Sequence, residues 1–400
     1  MKKKNKGRKI YKTKEKNYYG KSPAGKAFSI GLSALLIGGI GFIGYSIAEP
    51  IVNYTKKKGD NTSSSSYSGE YEPGTEDASG SVGTTIAQNQ NISAENYQAV
   101  ALSTLDLTSL DSLKTALNRI PKNQEIEFVE IPLKISGGEI YYQSSAYYAV
   151  QSGAIQGHLT LEEIVKAVKD AGYKPAAILS IFKDHILPKT DRAGGYITEN
   201  TDEQWIDNDV SAGGKPWMSP YSELALNYSL EIVTEVAQAG FDKVICSDMI
   251  FPEFRAYDLE ILSPKLSGSD RYMALTSAAN LFYDKIISKG SSMQIEVSAS
   301  DLLKGNNDII SQPMMLNASS IVVNINIDEI SYGVYTSETV YEFTGTASEK
   351  VKKMLGLIND ELHGFRNIAV RISGSTVGTD ELLKAKEEIS EFGYKSYVIG

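Results

Sequence analysis

The chain has 400 residues, a formal net charge of −9 and 42% hydrophobic residues, enough for one large core with appendages. Charge is unevenly placed: residues 1–26 hold eleven Lys or Arg and one acid, Glu15, a balance of +10, which leaves −9 − 10 = −19 for the rest. So acidic a main body repels phosphate and argues against nucleic acid as its partner. The single cysteine, Cys246, excludes an intrachain disulfide, and its apolar neighbours give a buried thiol rather than a nucleophile. Three histidines (His158, His185, His363) lack ligand spacing, which argues against zinc. No feature demands a metal or cofactor, although Asp184 and Asn324 could hold calcium if they converged.

In chain order, residues 27–48 (AFSIGLSALLIGGIGFIGYSIA) are uncharged for 22 residues, long enough to cross a bilayer as a helix. The lysine-rich segment before it places the N-terminus in the cytoplasm and the bulk of the chain outside. This predicts a single-pass anchor in a bacterial cell membrane; the alternative is a signal peptide cleaved near Ser46-Ile47-Ala48. Residues 49–96, rich in Ser, Gly and Thr, read as a disordered linker, with Lys56, Lys57 and Lys58 as solvated charge.

From residue 97 strand and helix patterns alternate, which predicts a domain over 97–400. Expected strands are Ala99–Leu105, Ile126–Lys134, Ala176–Phe182, Lys243–Asp248, Gln294–Ala299, Ser320–Ile327, Ile368–Ile372 and Lys395–Ile399. Expected helices are Ser109–Arg119, Thr160–Ala171, Ser222–Ala239, Asp270–Ser288, Ser348–His363 and Thr379–Phe392. Before the third of these, Ser219 reads as an N-cap and Pro220 as the first helical residue. Gly240 then stops the helix before the strand containing Val244, Ile245 and Cys246. Eight strands in roughly 300 residues match a (β/α)8 barrel. An open doubly wound sheet is the runner-up, weakened by the lack of a Gly-rich phosphate loop after the first strand.

In such a barrel the chemistry gathers where strands end. Candidate carboxylates there are Asp248, Asp301 and Asp184, with Asp248 and Asp301 on neighbouring strands as the first pair for glycoside cleavage. A structural role for Asp184, in an ion pair with Lys183 or Arg192 or as a loop cap, competes with the catalytic one. Trp217, Tyr221, Trp205 and Tyr142 offer aromatic faces to a sugar ring, and Lys183 and Arg371 offer hydrogen-bond donors.

Ala177–Asp184 (AILSIFKD), Lys215–Tyr221 (KPWMSPY), Ala239–Pro252 (AGFDKVICSDMIFP) and Phe128–Tyr142 (FVEIPLKISGGEIYY) resemble the glycoside hydrolase-like TIM-barrel domain family of bacterial envelope proteins, distantly similar to the alpha-amylase superfamily. The resemblance spans roughly 100–400 and implies a barrel that engages a cell-envelope or extracellular polysaccharide. The family's fourth strand ends F-D-Y-x-R-F-P. Counted back from Phe251-Pro252, its aspartate falls on Ser247 and its arginine on Ile250. Asp248 is one residue late, which in a strand means the opposite face; a bulge could restore it. Pro132-Leu133-Lys134-Ile135 replaces the family's D-V-K-D, and Asp301 is again one late in its serine-any-aspartate motif. Two readings follow: a membrane-anchored hydrolase using Asp248, Asp301 or Asp184, or a catalytically inactive barrel that binds glycan or serves as a scaffold. An interaction domain for another envelope protein, with no sugar involved, is a third.

Overall fold

The computed structural model describes residues 96–400, apart from 123–124, 200, 264–265, 267, 306, 311–312 and 363–366. The basic segment, the expected anchor over 27–48 and, but for Asn96, the expected linker lie outside the described residues.

Among the described residues ten strands follow in order: β1 (Gln98–Ala101), β2 (Phe128–Lys134), β3 (Lys174–Ser180), β4 (Lys243–Ser247), β5 (Ser292–Ser298), β6 (Ser320–Asn326), β7 (Val334–Tyr335), β8 (Val340–Tyr341), β9 (Ile368–Ser373) and β10 (Ser396–Ile399). Eight of them close a barrel in the order β1-β10-β9-β6-β5-β4-β3-β2, with every pair parallel. Closure rules out the open sheet. β7 and β8 form a small antiparallel hairpin after β6, a feature the sequence patterns did not announce.

Helices Leu110–Arg119, Leu161–Asp170, Glu223–Gln238, Gly268–Ser288, Ala347–Leu362 and Thr379–Glu391 connect the strands. The helix expected over Ser222–Ala239 spans Glu223–Gln238, and its cap is not the expected Ser219. Ser222 is its cap, accepting from the Ala225 N–H at 3.1 Å, while Ser219 and Pro220 form the turn before it. Gly240 closes the helix at φ +91°, a conformation that costs a residue with a Cβ about 1 kcal/mol or more. The first strand is shorter than expected: Thr104–Leu107 turn into a 3-10 helix and Leu105 faces solvent.

Side chains alternate between two apolar layers. Tyr97, Ala99, Phe128, Ala176, Ile245, Val322, Ala369 and Val398 pack inside the barrel, toward the N-terminal ends of the strands. Residues of opposite parity, such as Val129, Ala177, Val244, Ile295 and Val323, pack outward under the helices. Burying each large side chain stabilises the fold by about 1.5–3 kcal/mol as an upper bound. Further up the same inner faces the apolar residues give way to Glu130, Ser180, Ser247, Glu296, Asn324 and Arg371. The lumen therefore becomes polar towards the end where the βα loops lie.

Candidate functional site

Two backbone irregularities decide which polar groups reach the mouth. Alternation from Phe128 through Glu130 and Pro132 would keep Lys134 inside. The register of β2 against β3 shifts between Pro132 and Lys134, however, so Lys134 pairs with Leu179, an outward residue. Its ammonium leaves the lumen and meets Asp184 Oδ2 at 2.8 Å, the Ser180 carbonyl at 2.8 Å and the Tyr228 ring at 5.9 Å. Asp184 is fully buried, and its other oxygen accepts the N–H groups of Ile186 and Leu187 at 2.8 and 3.0 Å. Gly138 leaves room for it: a Cβ there would lie 2.5 Å from Asp184 Oδ1. Asp184 thus ties the β3 loop to the end of β2. Its ion-pair partner is Lys134, not Lys183 or Arg192; Arg192 pairs with Asp202 instead.

At β4 the reverse happens. Asp248 follows the inward Ser247, so alternation would send it outward, yet its φ is +51°. This left-handed residue ends the strand and turns its side chain back, where Oδ2 accepts the hydroxyl of the inward Ser180 at 2.6 Å. Aspartate tolerates this conformation better than most residues, at a cost on the order of 1 kcal/mol.

Beneath Asp248 lies a charged lumen. The Arg371 guanidinium is 94% buried and is shared between Glu130 and Glu296, with Glu296 Oε2 at 3.0 Å. Glu130 also accepts the Tyr97 hydroxyl at 2.7 Å, and Glu296 accepts the Asn324 amide at 3.0 Å, whose oxygen in turn accepts Ser373 Oγ at 2.8 Å. Two carboxyls share one guanidinium, so the cluster is short of positive charge. Burial pushes the Glu296 carboxyl above its usual range; Arg371 pulls it down, and the charges of Glu130 and Asp248 push it up again. The Glu296 side chain is 15% exposed and Glu130 is fully buried, so Glu296 is the member that faces the opening.

A cleft of about 630 Å³ opens beside the mouth, between the β3 and β4 loops, lined by Lys183, His185, Asp207, Trp217, Phe254 and Arg255 among others. The Lys183 ammonium sits 5.7 Å from the Trp217 ring centre, and the His185 ring meets Trp217 edge-on at 5.6 Å. Trp217 donates its indole N–H to Asp207 at 2.9 Å. His185 Nδ1 lies 2.7 Å from the Pro216 carbonyl; a carbonyl only accepts, so that nitrogen carries the proton and Nε2 is left to other groups. A second cavity, of about 440 Å³, lies at the opposite end of the barrel, lined by Lys243, Gln294, Ser320 and Asn367. The N-terminal ends of barrel strands serve stability, so the site belongs at the loop end.

The expected site residues separate accordingly. Asp248 and Arg371 come together in the lumen, and Lys183 and Trp217 in the adjoining cleft. Asp301 sits in the first turn of the short helix Ala299–Lys304 and pairs with Lys304 at 3.4 Å, whereas Asp248 pairs with Ser180. Trp205 is buried against Tyr196 and Phe254, and Tyr142 is fully buried with its hydroxyl on Glu235 at 2.7 Å; both serve packing. Tyr221 is half-buried against Phe251, and burial raises its hydroxyl to about 12. Asn324 and Asp184 have separate partners and do not converge on a common point. Glu130, Glu296 and Ser180 were not anticipated. Their signal was a polar residue every second position along a buried strand, as in Gln294-Glu296-Ser298.

The family described as "Putative glycosyl hydrolase domain" matches residues 99–364. The chain belongs to this family. The match ends before β9 and β10, which supply Arg371 and close the barrel. No curated protein matches the sequence. Among solved structures, the chain is similar to the glycoside hydrolase domain of PgaB (BpsB) from Bordetella bronchiseptica, at 13% identity over 76% of this chain and 93% of that one, with a TM-score of 0.53. It is also similar to a hypothetical protein from Ruminiclostridium thermocellum (19% identity, 49% and 96% covered, TM-score 0.42) and to Ega3 from Aspergillus fumigatus (11% identity, 79% and 93% covered, TM-score 0.36). The first of these likenesses is one of fold.

Proposed function

We propose that this chain is a membrane-anchored, extracytoplasmic glycoside hydrolase of a cell-envelope or extracellular polysaccharide, with Glu296 as general acid and Asp248 as the second carboxyl of the pair. The observation that carries the reading is two carboxyls at one mouth in unlike surroundings. Glu296 is held above its ordinary pKa by burial and negative neighbours, while Asp248, at the end of β4, accepts the Ser180 hydroxyl at 2.6 Å. Glycoside cleavage needs this asymmetry: the protonated group donates to the leaving oxygen, and the ionised one attacks the anomeric carbon or activates water. Trp217 and Lys183 would hold a neighbouring sugar by stacking and hydrogen bonding. Family membership supports the polysaccharide, and the apolar run 27–48 after a basic leader supports the anchor.

The test is release of reducing ends from purified cell-wall and capsular polysaccharides. Asp248→Asn and Glu296→Gln should each lower the rate about 100-fold or more. Unchanged rates in both variants would defeat the assignment. Protease digestion of intact cells should remove the barrel while sparing residues 1–26; protection of the barrel would defeat the topology.

A second reading, a barrel that binds glycan without turning it over, is favoured by one observation: Ser247 and Ile250 stand where the family has aspartate and arginine. Binding without release of reducing ends would select it.

A further inference from the structure

The β7–β8 hairpin carries an aromatic surface that the lumen does not use. Tyr332 is 84% exposed, Tyr335 67% and Val340 48%, and Tyr335 is the direct cross-strand partner of Val340, so those two share one face. This exposure has a built support. Val334, Phe343 and Ile330 are buried beneath the hairpin, which packs against the helix Ala299–Lys304. Gly333, at φ +84°, makes the turn between Tyr332 and Val334. Two large exposed rings on an anchored hairpin are not an accident of an unstructured loop.

Position says what they face. The hairpin follows β6 and its supporting helix follows β5, the strands that bring Asn324 and Glu296 to the mouth. The Trp217–Lys183 cleft is built from the loops after β3 and β4. Aromatic surface therefore stands at the loop ends on both the β3–β4 and the β5–β6 sides of Asp248 and Glu296. Chemistry narrows the occupant. Residues 331–346 (SYGVYTSETVYEFTGT) include Glu338 and Glu342, and the two lysines that reach them, Lys350 on Ser331 Oγ at 2.7 Å and Lys353 on the Glu342 carbonyl at 2.6 Å, balance that charge, so the hairpin offers no net positive charge to an anionic lipid surface or a phosphorylated polymer. Tyrosine faces amid serine and threonine hydroxyls suit the C–H face and hydroxyls of an uncharged sugar ring.

We propose that Tyr332 and Tyr335 form a distal subsite for a neutral polysaccharide, so that the barrel grips an extended chain across its mouth and not only a terminal residue. This rests on the glycan reading above and adds to it the length and neutrality of the ligand.

The test is affinity electrophoresis of the full chain in gels containing, in turn, laminarin, amylopectin, glycol chitin and polygalacturonate. Wild-type protein should be retarded by at least one of the three uncharged or weakly charged polymers and not selectively by polygalacturonate. The Tyr332→Ala/Tyr335→Ala double variant, with unchanged thermal unfolding, should be retained about fivefold or more weakly by that polymer. Its binding of a di- or trisaccharide of the same sugar should stay within twofold, because the Trp217 cleft is intact. Equal retardation of variant and wild type overturns the hairpin subsite while leaving the glycan reading standing. Selective retention by polygalacturonate overturns the neutrality. Absence of any retardation of wild type overturns the glycan reading itself, and the subsite with it. A drop in molecular mass of the variant by size exclusion, with retardation unchanged, would assign the hairpin to pairing of two copies instead.

Discussion

The ends of β2 and β4 break the alternation of a strand in opposite senses. At β2 a register shift carries Lys134, which parity would place inside, out to Asp184 and Tyr228. At β4 a left-handed residue carries Asp248, which parity would place outside, in to Ser180. The electrostatic consequences also differ. Lys134 and Asp184 are one cation and one anion, both buried and both hydrogen-bonded further, a balanced pair. Asp248 overlooks Arg371 with two carboxyls around it, a deficit of positive charge that holds the Glu296 carboxyl high. Balanced charge makes a staple; unbalanced charge makes a carboxyl that holds its proton above the usual carboxylate range.

Removing the cation from each region should show this difference most strongly. Arg371→Met leaves Glu130 and Glu296 buried without a counter-charge and should cost about 3–5 kcal/mol in chemical denaturation, with the loss smaller at pH 4.5 than at pH 7.5 because protonation relieves it. Asp184→Asn keeps an acceptor for Ile186 or Leu187 but strands the Lys134 ammonium, for about 3 kcal/mol. An Arg371→Met loss that stayed the same at pH 4.5 and pH 7.5 would mean that the two regions are electrically alike.

How much of this the sequence carried depends on the length of the signal. All eight barrel strands were legible, because each is a buried run between a helix stop and a polar segment, as with Gly240 and the Lys243–Ser247 strand. Family membership was legible through long motifs such as AGFDKVICSDMIFP. The site was only half legible. A one-residue register shift or a single left-handed residue leaves no pattern, so the sides taken by Lys134 and Asp248 could not be read. Trp205 and Tyr142 illustrate a second limit: an aromatic near a strand end looks the same in sequence whether it lines a cleft or fills the core. Glu130 and Glu296 were missed because they lie within strands, whereas the candidate carboxylates were sought where strands end.

A smaller effect sharpens the proton argument. A carboxyl whose folded pKa lies above its ordinary 4.5 adds stability that is fully present below pH 4.5 and lost as pH rises through the folded value. Glu296→Gln should therefore remove a decline in urea midpoint that wild type shows above pH 4.5. Asp328 behaves in the opposite way. The Thr376 hydroxyl, with Ser375, lowers it from 3.8 to about 2, so its contribution is present above pH 3.8 and lost as pH falls towards 2. Asp328→Asn should flatten only that acid limb. A Glu296→Gln curve parallel to wild type from pH 4 to 8 would mean that Glu296 titrates normally and has no claim as the acid.

The smallest expected effect bears hardest on the choice of β5 carboxyl. Asp301 occupies the first turn of a six-residue helix, and its partner Lys304, 3.4 Å away, is about a third exposed, so the ion pair lies near the surface. Asp301→Asn removes a screened pair and part of a helix-end charge interaction, together no more than about 1 kcal/mol. Activity should be unchanged, because the carboxyl that β5 presents to the mouth is Glu296, two residues before the strand ends, and not Asp301, three residues beyond it. If Asp301→Asn abolished hydrolysis while Glu296→Gln preserved it, the lumen cluster would be a structural core of charge, and the reacting bond would lie higher, among the loops rather than over the strands.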